Sequence, residues 1–222
     1  MHTALLFDLD GTLTDTDALH FAAYGELLAP YGKSITFETY KQRIMGAANH
    51  ATMGWLLPGE DAEALSQRKE ALFRAKAQTL HPTNGLAALL DWASAQGLKT
   101  AVVTNAMRPN TELMLRGLGL SQRFDTVVIA DELARGKPDP LPYTTALEIL
   151  GVAADQALAF EDSRAGVTAA VAAGIETVGL TTGLSPAALR EAGASFAIAD
   201  FSDSQLHQRL AQAYGSAPAT YV

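Results

Sequence analysis

Phe7-Asp8-Leu9-Asp10-Gly11-Thr12-Leu13 closes the first apolar run of the chain, and its reading decides how the rest assembles. Ala4-Leu5-Leu6-Phe7 is short, uninterrupted and followed by a turn signal, the pattern of a strand buried on both faces. A strand is therefore expected over Ala4–Leu9. It delivers Asp8 at its end, and Gly11 permits a tight departure. Two carboxylates two residues apart at such a turn can divide labour, one attacking as a nucleophile while the other handles protons. A solvated Asp-Gly turn is the plainer reading. A calcium loop fails on spacing, because Gly11 is not preceded by carboxylates at alternate positions over five residues.

Working outward, further apolar runs begin only beyond residue 84 and there alternate with helical patterns. Strands are expected at Thr100–Val103, Thr126–Ala130, Ala157–Phe160, Thr177–Leu180 and Phe196–Ile198. Helices are expected at Leu86–Ala95, Thr111–Leu118, Pro142–Leu150 and Ala165–Ala173, with Gly97, Gly119, Gly151 and Gly174 where helix-ending glycines belong. Such alternation implies an α/β fold, a parallel sheet with helices on both faces. Residues 16–81 lack it. Their apolar residues, such as Leu65, Leu72, Phe73 and Ala77, recur at helical spacing. They read as a small all-helical domain inserted between the first strand and the rest, leaving 1–15 and 82–222 as the core domain. The turn-rich His81-Pro82-Thr83-Asn84-Gly85 marks the return.

Bulk composition narrows the classes. With 48% hydrophobic residues, the 222-residue chain can bury a sizeable core. A formal charge of −8 disfavours nucleic acid as a partner. The chain has no cysteine, which removes disulfides and thiolate chemistry. The N-terminal apolar run is too short for a signal peptide and no stretch approaches a membrane span. The expectation is a cytoplasmic protein with no membrane partner, a monomer or weak dimer.

Ligands of open parallel sheets bind beyond the carboxyl ends of the strands, and three more polar segments fall at such ends. Thr104-Asn105 offers a hydroxyl and backbone N–H groups for phosphate oxygens, although alone it reads more readily as an ordinary helix entry before Pro109. In Gly136-Lys137-Pro138-Asp139-Pro140, a proline-stiffened loop presents one ammonium group that can balance phosphoryl charge. It is not a P-loop, since no Ser or Thr follows Lys137. Glu161-Asp162-Ser163 sets two acids side by side after an apolar strand, an arrangement costly without a cation. Magnesium favours such oxygens. Asp162 or Ser163 also suits a helix N-cap.

The four segments, in this order and across the whole chain, resemble the haloacid dehalogenase superfamily: Asp-x-Asp-Gly-Thr, then Ser/Thr, then Lys, then paired acids. The resemblance implies a Rossmann-like core with a helical cap between the first and second motifs. It implies that Asp8 forms an aspartyl-phosphate and that Asp10 is the acid and base. Thr104 and the backbone around Asn105 would grip the phosphoryl oxygens, and Lys137 would balance their charge. Mg²⁺ would sit on Asp8, the Asp10 carbonyl and Asp162, with Glu161 a possible further ligand. Related dehalogenases and phosphonate-cleaving enzymes carry no Asp at the position of Asp10, so Asp10 points to phosphate esters.

Specificity would then come from polar residues of the cap, with Thr16, His20, Arg43, Asn49, His50, Lys69 and Lys76 as candidates; for most of them a solvated helix face is the alternative. Asp15-Thr16 and His20 resemble the β-phosphoglucomutase branch. That branch tends to carry an Arg three residues after a cap glycine, where Met45-Gly46-Ala47-Ala48-Asn49 has Asn49. The leading expectation is a phosphatase acting on a small phosphorylated metabolite of the sugar-phosphate or phosphoglycolate type. A β-phosphoglucomutase-like phosphomutase and a non-catalytic binding module remain as alternatives.

Overall fold

The computed structural model describes residues 2–47 and 49–219. Six parallel strands form one sheet: β1 (Ala4–Phe7), β2 (Lys99–Thr104), β3 (Thr126–Ile129), β4 (Ala157–Glu161), β5 (Glu176–Leu180) and β6 (Phe196–Ile198). Their spatial order is β3-β2-β1-β4-β5-β6. The chain runs outward from β1 to β3, then crosses back to lay β4 on the other side of β1. The order reverses at β1, which is where an open α/β sheet leaves a crevice above its strand ends.

Strand pleat explains the two cores. Leu5 and Phe7 point to one face and pack with Leu89 and Trp92 of α5 (Leu86–Ala95), Met114 of α6 (Arg108–Gly117) and Leu206 of the C-terminal helix (Ser204–Tyr214). Ala4 and Leu6 point to the other, against Tyr143 and Leu147 of α7 (Leu141–Leu150) and Ala169 of α8 (Arg164–Ala172). Phe7, Phe160 and Phe201 are fully buried directly beneath the strand ends, each contributing on the order of 1.5–3 kcal/mol by burial. Gly97, Gly119, Gly151 and Gly174 take positive φ where the helices end, so the expected boundaries hold to within a few residues.

The first strand is shorter than expected. It stops at Phe7 rather than Leu9, because Leu9, Gly11 and Thr14 close a turn: Leu13 N–H donates to Leu9 O and Gly11 N–H to Thr14 O. Gly11 sits at φ 79° there.

Between β1 and β2 lie four helices, α1 (Asp17–Leu28), α2 (Phe37–Arg43), α3 (Asn49–Leu56) and α4 (Ala62–Lys76). They surround their own apolar cluster, with Tyr24, Leu27, Tyr40, Met53 and Leu65 at its centre. No strand of the sheet enters this layer.

Candidate active site

The Asp8 N–H donates to Phe160 O at 3.0 Å, which continues the β1–β4 ladder one residue past Phe7 and fixes the Asp8 backbone. Its carboxylate accepts from Lys137 Nζ at 2.6 Å, and the same ammonium donates to Glu161 at 2.6 Å. Lys137 is itself buried, with its ammonium over the Tyr143 ring. Burial works to lower its pKa, but the charges of Asp8 and Glu161 outweigh that and hold it above the ordinary range. Burial pushes Asp8 up to about 7 against the pull of Lys137, with Glu161 adding to the rise.

Glu161 is occupied. It accepts from Lys137 and from Tyr143 Oη, the latter at 2.6 Å, and its carboxylate fills the space a Cβ would take at Gly166. Asp162 differs. It is 3% exposed, yet its carboxylate has no hydrogen-bond partner among the described residues. Burial, then Asp8 and Glu161, push it well above the usual carboxylate range. Oxygens of Asp8, Glu161 and Asp162 lie within 4.8 Å of one another, and the carboxylate of Asp162 approaches Gly11 so closely that a side chain there would overlap it. A buried carboxylate with no partner, beside a second one, fits a hard divalent cation.

Asp10 faces the helical layer. Its Oδ1 accepts from Thr16 Oγ1 at 2.7 Å and from His20 Nε2 at 2.9 Å. His20 Nδ1 lies 2.8 Å from Lys69 Nζ. An ammonium group only donates, so Nδ1 accepts and the proton sits on Nε2, pointing at Asp10. Stacking on Phe73, at 4.0 Å between centroids, fixes the ring. Burial acts to raise the Asp10 pKa, but the hydrogen bonds from His20 and Thr16 and the charge of Lys69 more than offset it and hold the carboxyl below its ordinary value.

Thr104 is buried at the end of β2. Its hydroxyl accepts from the Ala106 N–H at 3.0 Å, which leaves its own hydrogen to donate. The Asn105 side chain has a role the sequence did not suggest. Its Oδ1 accepts from Lys137 N–H at 3.0 Å, and its Nδ2 donates to Lys137 O and to Gly46 O, both at 3.2 Å. It thus splints the Lys137 loop and touches the helical layer.

The expected residues therefore converge, but not all toward open space. Asp8, Asp10, His20, Asn49, Lys69, Thr104, Asn105, Lys137 and Asp162 line one cavity between sheet and helical layer; Thr16 stands behind Asp10 and Glu161 behind Lys137. Asn49 donates to Glu70 at 2.7 Å. Arg43 lies over the Trp55 ring and Lys76 pairs with Glu26, both at the surface. The side chain of His50 lies outside the described residues. Asp17, Tyr40, Glu70 and Asn110 also line the cavity and were missed. Each reads locally as ordinary helix surface, and only contacts over 23 to 40 residues, such as Tyr40 to Asp17 and Asn110 to Glu70, reveal them.

The model of the haloacid dehalogenase-like hydrolases matches residues 5–180, spanning all four strand-end segments. The chain belongs to this family. A phosphorylated carbohydrates phosphatase of Thermotoga maritima is 35% identical over 198 residues, covering 86% of this chain and 91% of that protein. A phosphoglycolate phosphatase of Rhodospirillum rubrum is 33% identical, with coverage of 90% and 88%. Among solved structures, a CbbY variant from Rhodobacter sphaeroides in complex with xylulose-(1,5)bisphosphate superposes with a TM-score of 0.78 at 28% identity, over 90% of this chain and 95% of that one. Family membership and the six-stranded α/β fold accord with the expectations from sequence.

Proposed function

We propose that this protein is a Mg²⁺-dependent phosphatase of small phosphorylated metabolites, of the sugar-phosphate or phosphoglycolate type, working through an aspartyl-phosphate on Asp8. The observation that carries the reading is Lys137 clamped between Asp8 and Glu161 beside the unpartnered Asp162. That set supplies a nucleophile, a fixed cation and a place for a metal. The phosphatase names among the relatives agree with it.

Asp8 and Asp162 would hold the ion, with the Asp10 carbonyl as a further ligand; Glu161, spent on Lys137 and Tyr143, serves to position the lysine. When bound, Mg²⁺ lowers the charge repulsion between a carboxylate and a phosphate anion. An Asp8 oxygen attacks phosphorus while the ester P–O bond breaks. Lys137 and the Thr104 hydroxyl steady the phosphoryl oxygens. The leaving oxygen takes a proton from Asp10. Water then attacks phosphorus, Asp10 receives its proton, and the bond to Asp8 breaks. Asp10, held ionised, is already in the form the second half needs. For the first half it must be protonated, and the proton it takes from water in the preceding turnover supplies that form, with His20 Nε2–H held against its Oδ1.

The helical layer, residues 16–81, acts in this reading as a cap over a core of residues 1–15 and 82–222. A β-phosphoglucomutase-like reaction is the second reading, favoured by Thr16 and His20 on Asp10. It is disfavoured by Asn49, which is turned to Glu70 and not to a second phosphate. Phosphate release from a panel of monoesters with Mg²⁺ tests both. Steady release, lost on chelation and restored by Mg²⁺, is the expected result. No release from any monoester sinks the phosphatase reading, and bisphosphate-primed isomerisation of glucose 1-phosphate faster than any hydrolysis selects the mutase.

A further inference from the structure

The cavity is walled by five carboxylates, Asp8, Asp10, Asp17, Glu70 and Asp162, against two ammonium groups, Lys69 and Lys137; no arginine lines it among the described residues. On the sheet side, Lys137 and the proposed ion answer the acids. On the helical side the balance is set by Glu70. It is 3% exposed, and its Oε1 accepts from both Lys69, at 2.7 Å, and Asn49, at 2.7 Å; its Oε2 accepts from Asn110. Lys69 is further spent on His20. The one cation of this wall is thus neutralised within it. Asp17, buried nearby, engages Tyr40 Oη with Oδ1 and leaves Oδ2 without a partner. Among the described residues the wall therefore offers no unpaired cation.

We propose that Glu70 is a specificity-determining residue: by neutralising Lys69 it makes the helical wall reject a second anion, so the substrate is a phosphate monoester whose remainder is uncharged. This rests on the phosphatase reading and narrows it. A hydroxylated leaving group meets neutral polar side chains that line the wall, such as Tyr24 and Asn110. A carboxylate or second phosphate meets acids and no unpaired cation among the described residues, and like charges in such a cavity are strongly unfavourable. The inference separates this chain from those relatives whose names carry phosphoglycolate or a bisphosphate.

The test uses substrate pairs that differ by one anionic group: 2-hydroxyethyl phosphate against phosphoglycolate, ribose 5-phosphate against ribose 1,5-bisphosphate, and glucose 6-phosphate against glucose 1,6-bisphosphate. The full-length protein with Mg²⁺ is expected to favour the neutral member of each pair by at least tenfold in kcat/KM. In Glu70→Gln, which frees Lys69, that ratio is expected to move at least tenfold toward the anionic member, a change that mere loosening of the fold would not direct. A wild-type protein that handles the anionic members equally well or better overturns the inference, whether or not the variant folds. So does a folded Glu70→Gln protein whose ratios match wild type. p-Nitrophenyl phosphate keeps the two levels apart. If it is hydrolysed while the pairs are indifferent, only the inference falls. If neither it nor any other ester is hydrolysed, the phosphatase reading falls and takes the inference with it.

Discussion

The sheet side and the helical side of the cavity are built on opposite plans. On the sheet side the functional groups lie at or beyond strand ends, Asp8 held by a ladder hydrogen bond and Lys137 in a loop splinted by Asn105, and the charges are left incompletely matched: one lysine serves two acids while Asp162 has none. On the helical side the polar groups, Asp17 Oδ2 apart, are satisfied: Lys69 by Glu70 and His20, and Glu70 by Asn49 and by Asn110 of α6. Unmatched charge held on a rigid frame is what chemistry on phosphate requires. Matched charge on helices shapes and excludes without reacting. Polar bridges between the two halves include Asn105 to Gly46, Asp10 to His20, and Asn110 to Glu70, beside the apolar packing of Ala23, Phe73 and Ala77 on the core.

This contrast can be broken by removing the sheet-side groups one at a time. Asp8→Asn is expected to lower phosphate release by roughly 10⁴-fold or more, since a nucleophile removed from a cooperating set takes most of the catalysis with it. Circular dichroism should show an unchanged fold, and release within tenfold of wild type would rule Asp8 out as the nucleophile. Lys137→Met should act on stability as well. With metal chelated, Asp8 and Glu161 are left buried without their cation, at about 3–5 kcal/mol. Urea unfolding in EDTA measures this, and a loss below about 1 kcal/mol would mean the clamp matters little.

Helical-side changes should be smaller. His20→Gln removes the ring that hydrogen-bonds Asp10, and kcat is expected to fall by about 10²-fold, the low end for proton-transfer groups; an effect on KM alone would place His20 in binding instead. The smallest effect is one of pH. Burial raises the Glu70 pKa, but the charge of Lys69 and the hydrogen bonds from Lys69 and Asn49 more than offset it, so the folded value lies below the ordinary 4.5. Its contribution to stability is present above pH 4.5 and is lost as pH falls through the folded value. Urea midpoints measured downward from pH 6 should therefore fall less steeply in Glu70→Gln than in wild type, and parallel curves would remove Glu70 from the account.

The same contrast explains what could be read from the sequence. The sheet side was legible because strand ends are local: an apolar run, a polar segment and a glycine announce Asp8, Thr104, Lys137 and Asp162 without knowledge of any partner. Its one misreading was local too, Leu9 assigned to a strand that the Gly11 turn had already ended. The helical side was legible as helix but not as wall. Asn49 reads as a candidate substrate contact until Glu70, 21 residues away, is seen to hold it. Asp17 and Tyr40 are ordinary members of amphipathic helices until they meet. Helical period tells which residues face inward, and it is silent about which inward neighbour they find.

Phe7 and Phe160 are paired in register, stacked at 5.0 Å and 13°, and each immediately precedes a carboxylate held by Lys137. Strands slip only by whole residues, and a slip of one sends every side chain to the opposite face. A misaligned β1 would break this stack and present a leucine or phenylalanine where Asp8 belongs. The aromatic pair therefore belongs to the register that brings Asp8 and Glu161 to the same lysine.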